Sequence, residues 1–236
     1  MKMSKLLERI LYGASKPVVK TYTHTMLNMD IRQKSPFPVG AKIIAPNHPS
    51  TTDPFFVAAM LGHQSFIMIN NVLFQVPVLG EYLRRSGHIP VIKGRGQEAI
   101  DAALEHLRDG HTIMIFPEGL ISPLSGGYHK PRTGVARLAL ASGAPVFPVG
   151  IHLRKDRILS KKSKVDGKDE MGYWYIRGPY NVTVGKPLRF NGDVDDHELV
   201  RDVSQKIMLK IMRLVYESEQ RWIRTNRSLP GALETA

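Results

Sequence analysis

The sequence predicts a single α/β domain, built as a mixed, mostly parallel sheet flanked by helices and preceded by an amphipathic helical segment. Three observations predict it. Short apolar runs of strand length recur along the chain and alternate with stretches of helical periodicity, as strands and crossover helices do in a parallel sheet. A chain of 236 residues is long enough for such a sheet to bury both faces as one unit. Apolar residues make up 42% and charged residues 23%, with no low-complexity tract and no internal repeat, the balance of an ordered globular protein.

Each element follows from its local pattern. Residues 3–28 place Leu7, Ile10, Ala14, Val18, Tyr22 and Met26 at helical spacing among Lys5, Arg9, Lys16 and Lys20. That pattern suits an anionic membrane surface as well as it suits the domain's own core. The prolines and glycine of "QKSPFPVG" end this segment, and "AKIIAPNH" then reads as a buried strand leading into a loop. Whatever follows that strand sits at its C-terminal end, where open α/β sheets form ligand crevices. A helix over 54–61 is followed by strands at "SFIMIN" (65–70) and "HIPVI" (88–92). A helix over about 97–108 stops at Gly110, and "TIMIF" (112–116) is the next strand. A helix over 134–142 stops at Gly143, ahead of the strand "APVFPVGI" (144–151). The Lys/Arg-rich stretch "RKDRILSKKSKVDGK" (154–168) reads as a mobile loop, and "YWYIR" (173–177) and "NVTVG" (181–185) as strands. A last helix begins near Asp196 and repeats Val200, Val203, Ile207, Ile211, Leu214 and Tyr216, a face able to pack on the sheet. The expected division is a segment 1–36, an α/β domain 37–226 and a tail 227–236.

Composition narrows the function. Thirty-three Lys and Arg against 21 Asp and Glu give a net charge of +12, which attracts phosphate-bearing partners. There is no cysteine, so disulfides, thiolate metal sites and thioester intermediates on cysteine are excluded. No apolar run approaches the roughly 20 residues a bilayer crossing needs, and the N-terminus lacks the unbroken apolar core of a secretory signal. The expected location is cytoplasmic, peripheral on the inner face of the membrane. Nucleic-acid binding would call for aromatics interleaved with cations or a known docking motif, and neither is found.

Four short stretches carry the chemistry. In "APNHPSTTDPFF" (45–56), Asp53 before Pro54 and an apolar run is an N-cap signal. The loop also allows the chain to fold back and set the Asp53 carboxylate against the ring of His48. A carboxylate on one ring nitrogen fixes the tautomer and raises the basicity of the other, which is what a general base needs. A lone histidine is more often structural, so this pair by itself leaves the question open. "TIMIFPEGLIS" sets Glu118 and Gly119 at a second strand end, where the carboxylate could bind a polyol or hold a loop open, or simply form a turn. "GHIPVIKGRG" presents Lys93 and Arg95 after a strand, and "YHKPRTGVARLA" presents Lys130 and Arg132 before a helix. Such cations bind phosphate, although a basic surface would carry them anyway. His48 has no companion ligands at metal-binding spacing, so no metal is expected. Ser50 as a hydrolase nucleophile is an alternative, without the Gly-x-Ser-x-Gly elbow such a serine uses.

Taken in order, "NHPSTTD", "GHIPVIKGR", "FPEG" and "APVFPVGI" resemble the four sequence blocks of the glycerolipid acyltransferase family, which includes the bacterial 1-acylglycerol-3-phosphate acyltransferases. The resemblance covers about residues 40–190. It implies that His48 is the general base and Asp53 its orienting carboxylate. It implies that Lys93 or Arg95, with Glu118 and Gly119, help bind a glycerol phosphate acceptor, and that the fourth block, around Pro145, Val146 and Pro148, shapes the acyl-donor site. The expected reaction moves a fatty acyl group from acyl-CoA or acyl carrier protein to the free hydroxyl of a lysophospholipid, with no bound cofactor. The expected partners are that donor, the acceptor and an anionic membrane surface. The 154–168 stretch would bind headgroups, the acceptor phosphate or an acidic carrier protein, or serve only solubility. Two departures bear on the acceptor: Leu120, Ile121 and Ser122 stand where the third block commonly has Thr-Arg-Ser, and Lys93 aligns where the second block commonly has Arg. A different lipid or polyol acceptor and a non-catalytic anionic-lipid-binding role are the alternatives.

Overall fold

The computed structural model describes Pro17, residues 21–165 and residues 168–227. Its strands are β1 (Met29–Gln33), β2 (Lys42–Pro46), β3 (Ser65–Asn70), β4 (Ile89–Val91), β5 (Thr112–Met114), β6 (Val146–Leu153), β7 (Ile158–Val165), β8 (Lys168–Tyr175) and β9 (Tyr180–Val184). Its helices are α1 (Asp53–Leu61), α2 (Leu79–Arg85), α3 (Gly96–Arg108), α4 (Gly134–Ser142) and α5 (His197–Arg227). Seven strands form one sheet in the order β1-β9-β6-β2-β5-β3-β4. The five from β6 to β4 are mutually parallel, while β9 runs antiparallel to β6 and carries β1 parallel to itself. The expected mostly parallel, mixed sheet between helices is what the chain builds.

Alternation along each strand feeds two cores. On β2, Ile43 and Ala45 face a layer of α3, α4 and α5, whereas Ile44 faces the opposite layer with α1 and α2. Both layers are built mainly from apolar side chains because the central strands are largely apolar on both faces, the pattern a covered parallel sheet requires. Helix α5 buries Val200, Val203, Ile207, Ile211 and Leu214. Its close seat depends on Gly150 of β6, where a Cβ would collide with the backbone of Leu214 and Val215. Farther along the same helix, Arg221 grips Asp30 of β1 and donates to Val182 O at 2.9 Å and to Thr183 Oγ1 at 2.9 Å. One helix thereby ties β1, β9 and β6 together.

Three places differ from expectation. Residues 29–33 form β1 and join the sheet, so the division drawn at residue 36 falls after the first strand; of the segment before it, residues 1–16 and 18–20 lie outside the described residues. Helix α2 is an addition, in a stretch where Pro77 and the glycines at 80 and 87 mask its short apolar face. The stretch 154–168 is no mobile loop but the first half of an antiparallel hairpin, β7 with β8, that forms a separate two-stranded sheet. Its Lys161, Lys162 and Lys164 share with Ser160 and Ser163 a strand exposed on both sides, so no apolar periodicity announces it.

Candidate active site

Because β2, β3, β4, β5 and β6 are parallel, whatever follows each of them gathers at one edge of the sheet. Pro46 closes β2, having no N–H for the ladder. Asn47 then carries the pairing on with its side chain, donating from Nδ2 to Ile151 O at 3.0 Å and accepting from Ile151 N–H at Oδ1 at 2.7 Å. This delivers His48 to the rim, its side chain 17% exposed and its ring stacked on Phe116 with centroids 4.2 Å apart.

His48 Nδ1 lies 3.1 Å from Asp53 Oδ2. An ionised carboxylate only accepts, so Nδ1 carries the proton and donates, leaving the lone pair on Nε2. Asp53 itself is fully buried and receives three further donors: Ser50 N–H at 2.7 Å on Oδ2, and Ser50 Oγ at 2.6 Å and Tyr180 Oη at 2.9 Å on Oδ1. All four of its lone-pair directions are thus occupied, which is how a buried charge is tolerated. Burial, and then the Asp53 charge, push the Tyr180 phenol well above its ordinary value, so it remains a donor.

The capping expectation for Asp53 is corrected here. Thr52 occupies the cap position without a side-chain cap bond, and Asp53 is the first helical residue with its carboxylate turned back into the loop. The reason is the density of donors on the loop side. Ser50 is equally accounted for: it is fully buried and its hydroxyl serves Asp53, so it is not placed as a nucleophile.

The third block closes on the first. Glu118, 1% exposed, accepts from His48 N–H at 3.2 Å and Ser122 Oγ at 2.6 Å on one oxygen, and from His129 N–H at 3.0 Å on the other. Ser122 N–H in turn donates to His48 O at 2.7 Å. Of the readings open for Glu118, holding the loop fits its burial, and a direct bond to a polyol does not. Gly119 has φ +64°, and a Cβ there would collide with the Arg132 side chain, which lies across it. Arg132 is anchored by its own N–H to Pro117 O at 2.8 Å and is exposed, as is Lys130 two residues before it. An exposed cation therefore stands over the glycine whose following residue in this chain is Leu120, where the family block commonly turns to Thr-Arg-Ser.

Lys93 and Arg95 follow β4, at the same edge but two strands from β5, a lateral distance of about 10 Å at ordinary strand spacing. Lys93 is exposed, whereas Arg95 is forked onto Glu98 at 2.6 and 2.7 Å. Pro145, Val146 and Pro148 are placed differently. All three are buried, Val146 within the core, and Pro145 precedes β6 at the sheet edge opposite His48. They pack into the sheet, Pro145 at the far end and Pro148 level with Ala45 of β2. Ser50, Asn47 and Tyr180 were not singled out from the sequence as supporting residues. Ser50 lies inside the quoted motif, but Tyr180 reaches Asp53 from 127 positions away and carries no local signal.

A histidine with one ring nitrogen committed to a buried carboxylate and the other free to accept can take a proton from a hydroxyl. Among the described residues no group of three His, Asp or Glu is placed to hold a metal ion. The fold is similar to the crystal structure of the 1-acyl-sn-glycerophosphate (LPA) acyltransferase PlsC from Thermotoga maritima, with a TM-score of 0.64 and 20% identity over 94% of this chain and 85% of that one. Residues 28–152, which contain all four blocks, match the acyltransferase family across more than half of the sequence. The chain belongs to the acyltransferase family.

Proposed function

We propose that the protein transfers a fatty acyl group from an acyl thioester, carried by CoA or an acyl carrier protein, to the free hydroxyl of 1-acyl-sn-glycerol 3-phosphate, giving phosphatidic acid. The observation that carries the proposal is the His48–Asp53 pair at the rim, with Nδ1 committed to the carboxylate. His48 Nε2 takes the proton of the acceptor hydroxyl as its oxygen attacks the thioester carbonyl carbon. The tetrahedral oxyanion collapses by breaking the C–S bond, and the departing thiolate takes the proton from His48, so the products are an ester and a free thiol. No enzyme-bound acyl intermediate is needed.

Arg132 and Lys93 hold the acceptor phosphate, Lys130 adds to the local positive potential, and Glu118 fixes the backbone at His48 and His129. The described helices include none long and apolar enough to cross a membrane, and the proposed location is peripheral on the inner membrane face. A second acceptor class stays in view for one reason: the Leu120-Ile121-Ser122 departure exposes Leu120 beside Gly119, where a more apolar headgroup would also fit.

The test is thiol release from a panel of long-chain acyl-CoAs with and without lysophosphatidic acid, comparing the natural chain with His48→Ala. Release that depends on the acceptor and disappears in the variant supports the proposal. Release without acceptor is hydrolysis and defeats it, and release that needs another lysolipid defeats the acceptor assignment alone.

A further inference from the structure

We infer that the β7–β8 hairpin is a membrane-docking element that seats the His48 rim on a bilayer bearing anionic headgroups. The inference deepens the reading above, since a lysophospholipid acceptor resides in a bilayer.

The hairpin is unusual within this fold. It belongs to neither face of the main sheet and pairs with no third strand. Two-stranded ribbons are marginal in water on their own, and this one is anchored at its base. There, Ile158 and Tyr175 join the core, and β7 packs on the turn at Asn71–Gln75. Away from the base it exposes what a folded chain ordinarily covers. Leu159 and Trp174 are directly opposite each other, 56% and 36% exposed, and Met171 on the other face is 47% exposed. The indole lies flat along the ribbon, because Gly172 leaves it room: a Cβ there would meet Trp174 Nε1 at 2.5 Å.

Charge says what covers this surface. Lys161 shares the Leu159–Trp174 face with Glu170, and Lys162 and Lys164 share the Met171 face, where Lys162 pairs with Asp169 at 2.8 Å and Lys164 extends the positive edge. Exposed indole, aliphatic side chains and lysines on one ribbon form the amphipathic combination that lies at a bilayer interface, apolar groups in the acyl boundary and ammoniums among phosphates. An acidic protein would use the lysines but offers nothing for the apolar pair.

The ribbon is also wired to the catalytic loop. Thr51 N–H donates to Tyr173 O at 2.7 Å, Tyr173 N–H donates to Thr51 Oγ1 at 2.9 Å, and Thr52 Oγ1 donates to Tyr175 O at 3.1 Å. At its foot, Lys155 donates to Leu124 O at 3.3 Å, drawing in the loop that exposes Leu120 and Leu124. Docking this ribbon therefore brings the loop between His48 and Asp53 to the membrane surface, where the acceptor lies.

The chain has two tryptophans, Trp174 and Trp222, so Trp222→Phe makes Trp174 the only indole. The probe is phosphatidylcholine vesicles doped with phosphatidylglycerol, against phosphatidylcholine alone, with brominated acyl chains as quencher. Expected are a blue shift and quenching of Trp174 with the anionic vesicles, weakened by salt, and a loss of partitioning of about fivefold for each of Lys161→Gln and Lys164→Gln. Leu159→Ser should reduce quenching while leaving the melting temperature in place. Sedimentation with vesicles but an unshifted Trp174 would overturn the inference in favour of another surface, such as the 3–28 segment. A shift produced by acyl carrier protein and not by vesicles would overturn it in favour of a protein partner, and absence of any vesicle binding would overturn it outright. Turnover of a short-chain, monomeric lysophosphatidic acid separates the two proposals. Docking without any turnover defeats the acceptor reading alone, and soluble turnover without docking defeats this one alone.

Discussion

Replacing Asp53 by Asn keeps the shape of the side chain and changes only what it can accept. The carboxylate receives four donors, two on each oxygen. An asparagine can accept on one oxygen and must donate from the other position. If its oxygen stays with Ser50 Oγ and Tyr180, the amide faces Ser50 N–H and His48 Nδ1–H, two donors against a donor. His48 then relieves the conflict by moving its proton to Nε2, where it can no longer serve as a base. General-base assistance contributes about 100- to 10,000-fold, so kcat should fall by that factor, about 3–5 kcal/mol of barrier. The Michaelis constants of donor and acceptor should change little, because Asp53 is buried behind His48 and touches neither. Ser50 N–H is left facing the amide, which costs stability by about 1–3 kcal/mol. The assay is steady-state thiol release beside chemical denaturation of both proteins. A folded Asp53→Asn chain within about threefold of the natural kcat, below the weakest general-base effect, would refute the orienting role. Tyr180→Phe serves as the internal control: it removes one donor from the oxygen remote from His48, and should cost about 1 kcal/mol of stability with only a few-fold effect on kcat.

Three further outcomes follow. Gly119→Ala forces a Cβ into the Arg132 side chain at a left-handed backbone position, and should raise the acceptor's Michaelis constant roughly tenfold, about 1.4 kcal/mol, while sparing that of the donor. Gly150→Ala pushes on backbone atoms of α5 that cannot swing away, and should cost about 3 kcal/mol, read as a fall in Tm on the order of 10 °C; an unchanged Tm would mean the helix is not seated as described. The third concerns pH. Burial, with a smaller contribution from nearby His106, lowers His88 to about 4, and its Nδ1 accepts from Ile67 N–H at 3.2 Å, a bond that the protonated ring cannot keep. The unfolded chain then binds the proton first, so this stabilisation is complete above about pH 6.5 and is lost as pH falls toward 4, at most about 3 kcal/mol in all. Urea unfolding at pH 7 and pH 4.5 should show that slope, and His88→Gln should flatten it.

How much of this was legible in the sequence depends on what kind of contact each part rests on. β3 and α4 occur at the expected residues because "SFIMIN" and "GVARLALAS" are buried on faces their own periodicity defines. β1 was missed because "MDIRQ" is an edge strand exposed over most of its length, held by backbone pairing to β9 and by Arg221. The hairpin was missed for the same reason, since its stability comes from backbone pairing and from a base of only two core residues. At the site, His48 and Asp53 are close in sequence and so were readable as a pair. Tyr180 was not, because it becomes relevant only when β9 folds back antiparallel to β6. For Pro145, Val146 and Pro148 the difficulty is position along a strand. A block that lies along a parallel strand runs from one edge of the sheet toward the other, and strand polarity cannot be read from composition.

The Tyr180–Asp53 bond also sets an order of events during synthesis. His48 and Asp53 emerge early, but the fourth donor to the carboxylate arrives 127 residues later. Until β9 is made and α5 clamps it against β6, Asp53 lacks its fourth donor and β6 lacks the cover that Gly150 was shaped to receive. A nascent chain released before that point would carry the whole sequence motif and an incompletely satisfied charge beneath it. The last third of the polypeptide thus completes the setting of a pair that the first quarter already contains.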